Sequence, residues 1–264
     1  MLNLSIISVI YNHPNFDIWL HKTLSLFAYL RYFNIELILV NTNSEKQYDI
    51  SQYIPDYDIQ LLTTDQNIGY CGGNNYGILH SKYDNIIILN PDVYIKESIV
   101  FDWLYTSCNM HFGISGMYRD GVNWLTYPTM FPIDRKYENE ELPFTYNENP
   151  NLNPNLNSIE WKSLPFIDGC LMSFKREIFD KVQFDENIFP GYFGENAFQF
   201  KCQLEFGSKF ELSSVPIDNF ITHDTNSDSL YGVVNKITWT KESRQYFYNT
   251  YALPNYEFFL EKLV

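Results

Sequence analysis

Asn67–Asp92, NIGYCGGNNYGILHSKYDNIIILNPD, decides how the chain is built. It opens on Asn67-x-Gly69-Tyr70-x-x-Gly73-x-Asn75-x-Gly77, where glycines allow close backbone approach and open φ/ψ. A helix follows to about Tyr83, and its first turn offers N–H groups that suit a phosphate or a polar nucleotide. The competing reading of the glycines is a tight strand-to-helix turn. The motif is neither a Walker loop, since no Gly-Lys-Ser/Thr follows, nor a dinucleotide GxGxxG after a first strand. Ile86–Leu89 then reads as a buried strand. It stops at Asn90-Pro91-Asp92, where proline fixes the turn and presents Asp92 at the strand tip.

Upstream, Leu4–Ile10 (LSIISVI) is a β-branched apolar run ending at Tyr11-Asn12-His13-Pro14. Apolar residues at Phe16, Leu20, Leu24, Phe27 and Leu30 predict a helix over 16–31. Ile35–Val40 and Ile59–Thr63 add two strands, the first closing on Asn41-Thr42-Asn43-Ser44. Strand, helix, strand, strand, helix, strand predicts an α/β domain with a mainly parallel central sheet flanked by helices. Ligands of such sheets collect beyond the carboxyl ends of the strands, here Tyr11-Asn12, Asn41–Ser44 and Asn90–Asp92.

The second half is less regular. A helix is expected from about Glu97 to Asn109, and Phe166–Phe174 (FIDGCLMSF) reads as a strand broken by Gly169. A short helix is expected over Lys175–Val182. Phe193-Gly194-Glu195-Asn196 opens another, closing at Gly207 as a C-cap. Residues 212–221 predict a strand leading to Thr222-His223-Asp224, and Gly232–Tyr251 has helical spacing. Residues 134–158 are polar, with Asn-Pro steps, and predict a long loop, either a lid or a surface insertion. No linker divides the 264 residues, so one domain over 1–264 is expected.

Composition removes several classes. Hydrophobic residues make up 45% and aromatics 18%, enough for a sizeable core. The net charge of −14 leaves no basic footprint for nucleic acid or for anionic lipid. An anionic ligand remains compatible, held by backbone N–H groups or a metal ion. Cys71, Cys108, Cys170 and Cys202 show no CxxC or zinc-finger spacing and read as buried, reduced thiols. With no basic start followed by a long apolar run, and no uninterrupted apolar stretch of membrane-spanning length, a cytoplasmic protein is expected.

Four positions carry candidate chemistry. Asp92 either holds Mg²⁺ or Mn²⁺ or caps its turn. Glu195, at a helix start whose dipole favours the ionised form, either takes a proton from a hydroxyl or only complements that dipole. His223 is either a ligand or structural. The segment Asn67–Gly77 is the fourth. No Gly-x-Ser-x-Gly supports serine nucleophilic catalysis.

In this order and spacing the pieces resemble the family 2 glycosyltransferases, inverting nucleotide-sugar enzymes of GT-A fold, and most of all their bacterial rhamnosyltransferase-like branch. The resemblance runs from about Leu4 to Tyr248. Its carriers are the strand into Tyr11-Asn12, the NxGYxxGxNxG segment, Leu89-Asn90-Pro91-Asp92 in the place of the DxD motif, and Asp168-Gly169 followed by Lys175-Arg176-Glu177-Ile178-Phe179. Phe184-Asp185-Glu186 then leads to Phe193-Gly194-Glu195-Asn196, and His223 comes last. The resemblance implies a Rossmann-like nucleotide-sugar-binding half over about 1–95 and an acceptor-binding and catalytic half over about 96–264. It implies that Tyr11, Asn12, Asn41, Asn67, Gly69, Asn75 and Asn90 surround the nucleotide and that Gly169 lines the donor sugar. Asp92, with His223 as second ligand, would hold Mn²⁺ or Mg²⁺ on the diphosphate, and Glu195 would be the general base. The donor would be a UDP- or dTDP-sugar and the acceptor a glycan or lipid-linked glycan, selected in part by residues 123–165. Three positions depart from the family pattern: Asn41 stands for its usual Asp, Asn90 for the first Asp of DxD, and Asn196 for the Asp of its Glu-Asp pair. A nucleotide-sugar-binding or glycan-binding protein without catalysis is the alternative they raise.

Overall fold

A computed structural model of the chain describes residues 1–119, 130–132, 161–163, 166–191, 193–223, 242–243 and 245–255. Its centre is a seven-stranded sheet. In chain order the elements are β1 (Leu2–Ile10), α1 (Phe16–Phe27), β2 (Phe33–Asn41), β3 (Asp58–Thr63), α2 (Gly69–Leu79) and β4 (Asn85–Leu89). There follow β5 (Val93–Ile95), α3 (Ile99–Met110), β6 (Gly113–Arg119), β7 (Met130–Pro132), β8 (Trp161–Ser163) and β9 (Phe166–Lys175). The last are α4 (Arg176–Phe179), α5 (Gly194–Phe206), β10 (Glu211–Ser214) and β11 (Ile221–His223). The sheet order is β3-β2-β1-β4-β9-β6-β10, and β9 runs antiparallel to the other six. β5 pairs with β11 and β7 with β8, each as an antiparallel ribbon apart from the sheet.

Strand alternation sorts the core into two layers. Leu4, Ile6, Leu37, Leu39, Ile87 and Leu89 face the side covered by α1 and α3, where Trp19, Leu20, Phe101 and Leu104 meet them. Ile7, Ile38, Val40, Ile86 and Ile88 face the side covered by α2, α4 and α5. Both faces are therefore apolar, which is why the strands read as unbroken runs. The helix α2 lies unusually close to the sheet. A Cβ on Gly77 would sit 2.4 Å from Cγ2 of Ile7, and one on Gly73 would sit 2.6 Å from Cγ1 of Val9.

The amino edge of the sheet is tied by polar groups. Glu36 is fully buried, accepting from the Ser5 hydroxyl and from the backbone N–H of Lys82. The Arg176 guanidinium donates to the carbonyls of Ile78, Ser81 and Tyr83 and so closes the end of α2.

Several expectations are corrected. The helix expected over 16–31 stops at Phe27, because Tyr29 and Leu30 turn back onto Leu26 and Phe27 and drop Leu30 into the core. The helix expected to reach Tyr83 stops at Leu79, and the helix over 175–182 is the single turn α4. The strand over 212–221 is two strands in different sheets, β10 and β11, with Pro216 in the break between them. β9 is not broken at Gly169; it continues, and its ladder slips there instead. β6 moves from Gly116 to Tyr118 while its partners on β9 jump from Met172 to Ile167. The bulge falls on residues 168–171. Residues 134–158 lie outside the described residues, as do 123–129 and 232–241.

Candidate functional site

The carboxyl ends of β1, β2, β4 and β6 and the start of β9 share one edge of the sheet, as the registers Ile10↔Asn41, Ile7↔Ile88, Leu89↔Leu171 and Tyr118↔Ile167 require. That edge carries Tyr11-Asn12, Asn41, Asn90–Asp92 and Asp168-Gly169. The topology puts these segments at the same edge of the sheet.

Asn90-Pro91-Asp92-Val93 is a β-turn closed by the Val93 N–H on the Asn90 carbonyl, 3.1 Å, with proline in its favoured second position. The buried indole of Trp19 donates to the Val93 carbonyl at 2.9 Å and locks the turn to α1. Beyond it, β5 pairs with β11 so that Val93 faces His223. This ribbon brings Nε2 of His223 to 3.3 Å from Oδ2 of Asp92, although 131 positions separate them. Both side chains are partly buried, with 17% of Asp92 and 28% of His223 exposed. The pair fits a divalent cation. Two atoms bound side by side to one ion at about 2.1 Å lie roughly 3 Å apart. Among the described residues no group of three or more His, Cys, Asp or Glu is placed to hold a metal ion. Two protein ligands leave further positions for oxygen donors from a substrate.

Glu195 is the second residue of α5. The residue that opens the helix, Phe193, has φ 68°, a left-handed conformation rare for a bulky side chain. Glu195 packs directly on the bulge of β9. A Cβ on Gly169 would lie 2.7 Å from Cβ and 2.9 Å from Cγ of Glu195. Gly169 adjoins Cys170, whose carbonyl accepts from the Asn90 N–H at 2.8 Å. A continuous path of contacts thus runs from the Asp92 turn through β9 to Glu195. Tyr70 closes the arrangement, donating its buried hydroxyl to the Gly169 carbonyl at 2.7 Å. Burial, then the charge of Glu195, pushes the Tyr70 phenol well above its ordinary value, so it stays a neutral donor.

The asparagines expected around a nucleotide take local roles that the sequence did not show. Asn12, at φ 48°, accepts on Oδ1 from the N–H groups of Glu45 and Lys46. Asn41 accepts on Oδ1 from Ser44, and Asn67 from Gly69. These carbonyl ends organise the loops that rim the edge. Asn75 is 3% exposed and donates to the Phe184 carbonyl and to Glu186, while its own oxygen accepts from the Phe184 N–H. That amide staples α2 to residues 184–186. The glycines also read differently. Gly69 has φ 66°, and Gly73 and Gly77 seat α2 on the sheet. The N–H groups of Gly69 and Tyr70 are taken by Asn67 and Pro190, so these two do not cradle an anion. The four cysteines are free and buried, as the spacing predicts.

Trp19 and Tyr70 were missed as supports of the site. Trp19 sits on a helical apolar stripe and looks like core. The tyrosine is quoted within the glycine motif, but nothing in the sequence pairs it with Gly169.

A doubly covered, mainly parallel sheet with one antiparallel strand inside it is the architecture of the GT-A glycosyltransferase domains. Residues 5–183 match Glycosyl transferase family 2, and the chain belongs to that family. It is 23% identical over 179 residues to the low-salt glycan biosynthesis hexosyltransferase Agl10 of Haloferax volcanii, covering 65% of this chain and 52% of that protein. The chain therefore spans about half the length of this curated relative. The mannosyltransferase PcManGT of Pyrobaculum calidifontis, solved with GDP-Man and Mn²⁺, superposes with a TM-score of 0.53 at 13% identity over 81% of this chain and 54% of that one. TarS of S. aureus superposes at 0.50 and 12% identity, over 83% of this chain and 38% of that one. Among the described residues no helix is long and apolar enough to cross a membrane.

Proposed function

We propose that the chain is an inverting glycosyltransferase that moves a hexosyl or deoxyhexosyl group from a nucleotide-diphosphate donor to a hydroxyl of a glycan or lipid-linked glycan. One observation carries the reading: Glu195 and the Asp92–His223 pair stand on one sheet edge, joined through Gly169, Cys170 and Asn90. The relative's name, a hexosyltransferase of glycan biosynthesis, supports the transferred group and the acceptor class.

In this reading Asp92 and His223 hold a divalent cation, which when bound neutralises charge on the departing diphosphate. An O,N donor pair suits Mn²⁺ better than Mg²⁺, which favours oxygen ligands. The loops around Tyr11, Asn12, Asn41 and Asn67 form the nucleoside side of the pocket. Glu195 is held near the sugar side, where the dipole of α5 favours its ionised form. As the acceptor oxygen bonds to the anomeric carbon, its proton passes to Glu195. The bond from that carbon to the diphosphate breaks, and its electron pair leaves with the nucleoside diphosphate. Attack from the opposite face inverts the configuration. Asn196 cannot take a proton usefully, so the base role falls to Glu195 alone. The half over about 1–95 binds the donor, and the half over about 96–264 supplies the base and the acceptor surface. In this reading the chain is of the rhamnosyltransferase-like branch, works in the cytoplasm and takes UDP- or dTDP-sugars as donors, the branch being supported by the order of its motifs.

A screen of UDP- and dTDP-sugars with MnCl₂, run on wild type and Glu195→Gln, tests the reading. Removing a general base is expected to cost about 10²–10⁴-fold in turnover while leaving binding of the nucleoside diphosphate intact. A wild type that binds nucleoside diphosphate but turns over no donor is instead a binding protein.

A further inference from the structure

We infer that Tyr70 is a positioning residue for the base: through Gly169 it sets where the carboxylate of Glu195 stands. The inference rests on the assignment of Glu195 above and adds a residue that assignment does not contain.

Three glycines enclose the Tyr70 ring. A Cβ on Gly191, whose φ is +144°, would come within 2.3 Å of Tyr70 Cβ. One on Gly169 would be 3.0 Å from the Tyr70 oxygen, and one on Gly194 would be 3.6 Å from Cδ1. The edge of Phe184 meets the ring at 5.9 Å, at right angles. The backbone is fixed as well, since the Tyr70 N–H donates to the Pro190 carbonyl at 2.7 Å. Pro190, Gly191 and Gly194, just ahead of Glu195 in the chain, thus pack against this one side chain. Glu195 is the next residue.

The hydroxyl points the same way. It donates to the carbonyl of Gly169, at the bulge where β9 leaves its ladder with β6. A bulge lacks some ladder bonds, and its backbone needs another partner to hold one conformation. Tyr70 supplies that partner, and Glu195 rests its Cβ and Cγ on the same glycine. The phenol is held neutral, so it donates to the peptide. In this arrangement its effect on chemistry passes through Gly169 and Glu195.

A double-mutant cycle separates this from a purely structural role. With the donor selected in the screen, Tyr70→Phe is expected to lower kcat about tenfold, since small displacements of a catalytic group are costly. Donor KM and calorimetric Kd for the matching nucleoside diphosphate should stay within about twofold, because the nucleoside pocket is untouched. In a Glu195→Gln background the same substitution should cost nothing further. Phe184→Leu, which loosens the ring without removing the hydroxyl, should show the same dependence on Glu195 and serves if Tyr70→Phe does not fold. Equal losses in both backgrounds, or no loss in wild type while Glu195→Gln is crippled, overturn the inference alone. Full turnover by Glu195→Gln overturns the base assignment and this inference with it.

Discussion

Gly169 is the position where the chain tolerates least. Its missing Cβ would stand 2.7 Å from Cβ of Glu195, a separation that neither backbone can relieve by turning a side chain. Gly169→Ala is therefore expected to push α5 away from β9, destabilising the protein by about 1–3 kcal/mol, the usual range for overpacking. Thermal melting reads that cost. Turnover should fall much further than stability, because the displaced residue is the proposed base, while nucleoside diphosphate binding persists. The sequence pointed at Gly169 but expected it to break a strand, which it does not. What it does in the structure depends on a residue 26 positions later, a contact with no local signal.

At the level of elements, β1, β2 and β4 were legible because strands buried on both faces leave continuous apolar runs bounded by turn residues, and β3, the half-exposed edge strand, as a short β-rich run. β5 and β11 were not, since a three-residue ribbon has no period to read, yet that ribbon brings His223 to Asp92. The β4–β5 turn depends on Trp19 of α1 in turn. Trp19→Phe keeps the apolar bulk and deletes the indole N–H, leaving the Val93 carbonyl without this donor. A loss of about 1 kcal/mol is expected, the net worth of one such bond, measured by denaturant unfolding. The same variant should weaken Mn²⁺-dependent nucleotide binding through the loosened turn, and unchanged metal dependence would count against that link. In α2 the period of the glycines was visible but their purpose was not: Gly73 and Gly77 answer Val9 and Ile7, residues more than 60 positions earlier.

Across the whole molecule, residues 245–255 are docked by the buried Phe247 against Phe193 and Phe200 and by one buried carboxylate, Asp185. Tyr246 donates to Oδ2 of Asp185 at 3.0 Å, Tyr251 donates to the same oxygen, and Asn187 holds Oδ1. Burial raises the Asp185 pKa, but these donors outweigh it and keep the carboxyl below its ordinary 3.8. A depressed folded-state pKa means stability that is complete above the unfolded value and lost as pH falls through the folded one. Wild type should then lose melting temperature more steeply below about pH 4 than Asp185→Asn, which should be the less stable of the two near neutrality. Parallel curves would show that Asp185 does not govern the docking. From sequence this aspartate was visible only as part of a motif, because its partners come from the far end of the chain. The central claim, that a cation-held diphosphate and a proton-accepting carboxylate share one edge of the sheet, is tested most directly by crystals grown with the selected nucleoside diphosphate and Mn²⁺. The account predicts an anomalous manganese peak bonded to both Asp92 and His223, with the Glu195 carboxylate lining the same pocket beyond the β-phosphate. Manganese bound elsewhere, or a diphosphate lying away from the edge that carries Glu195, would contradict it.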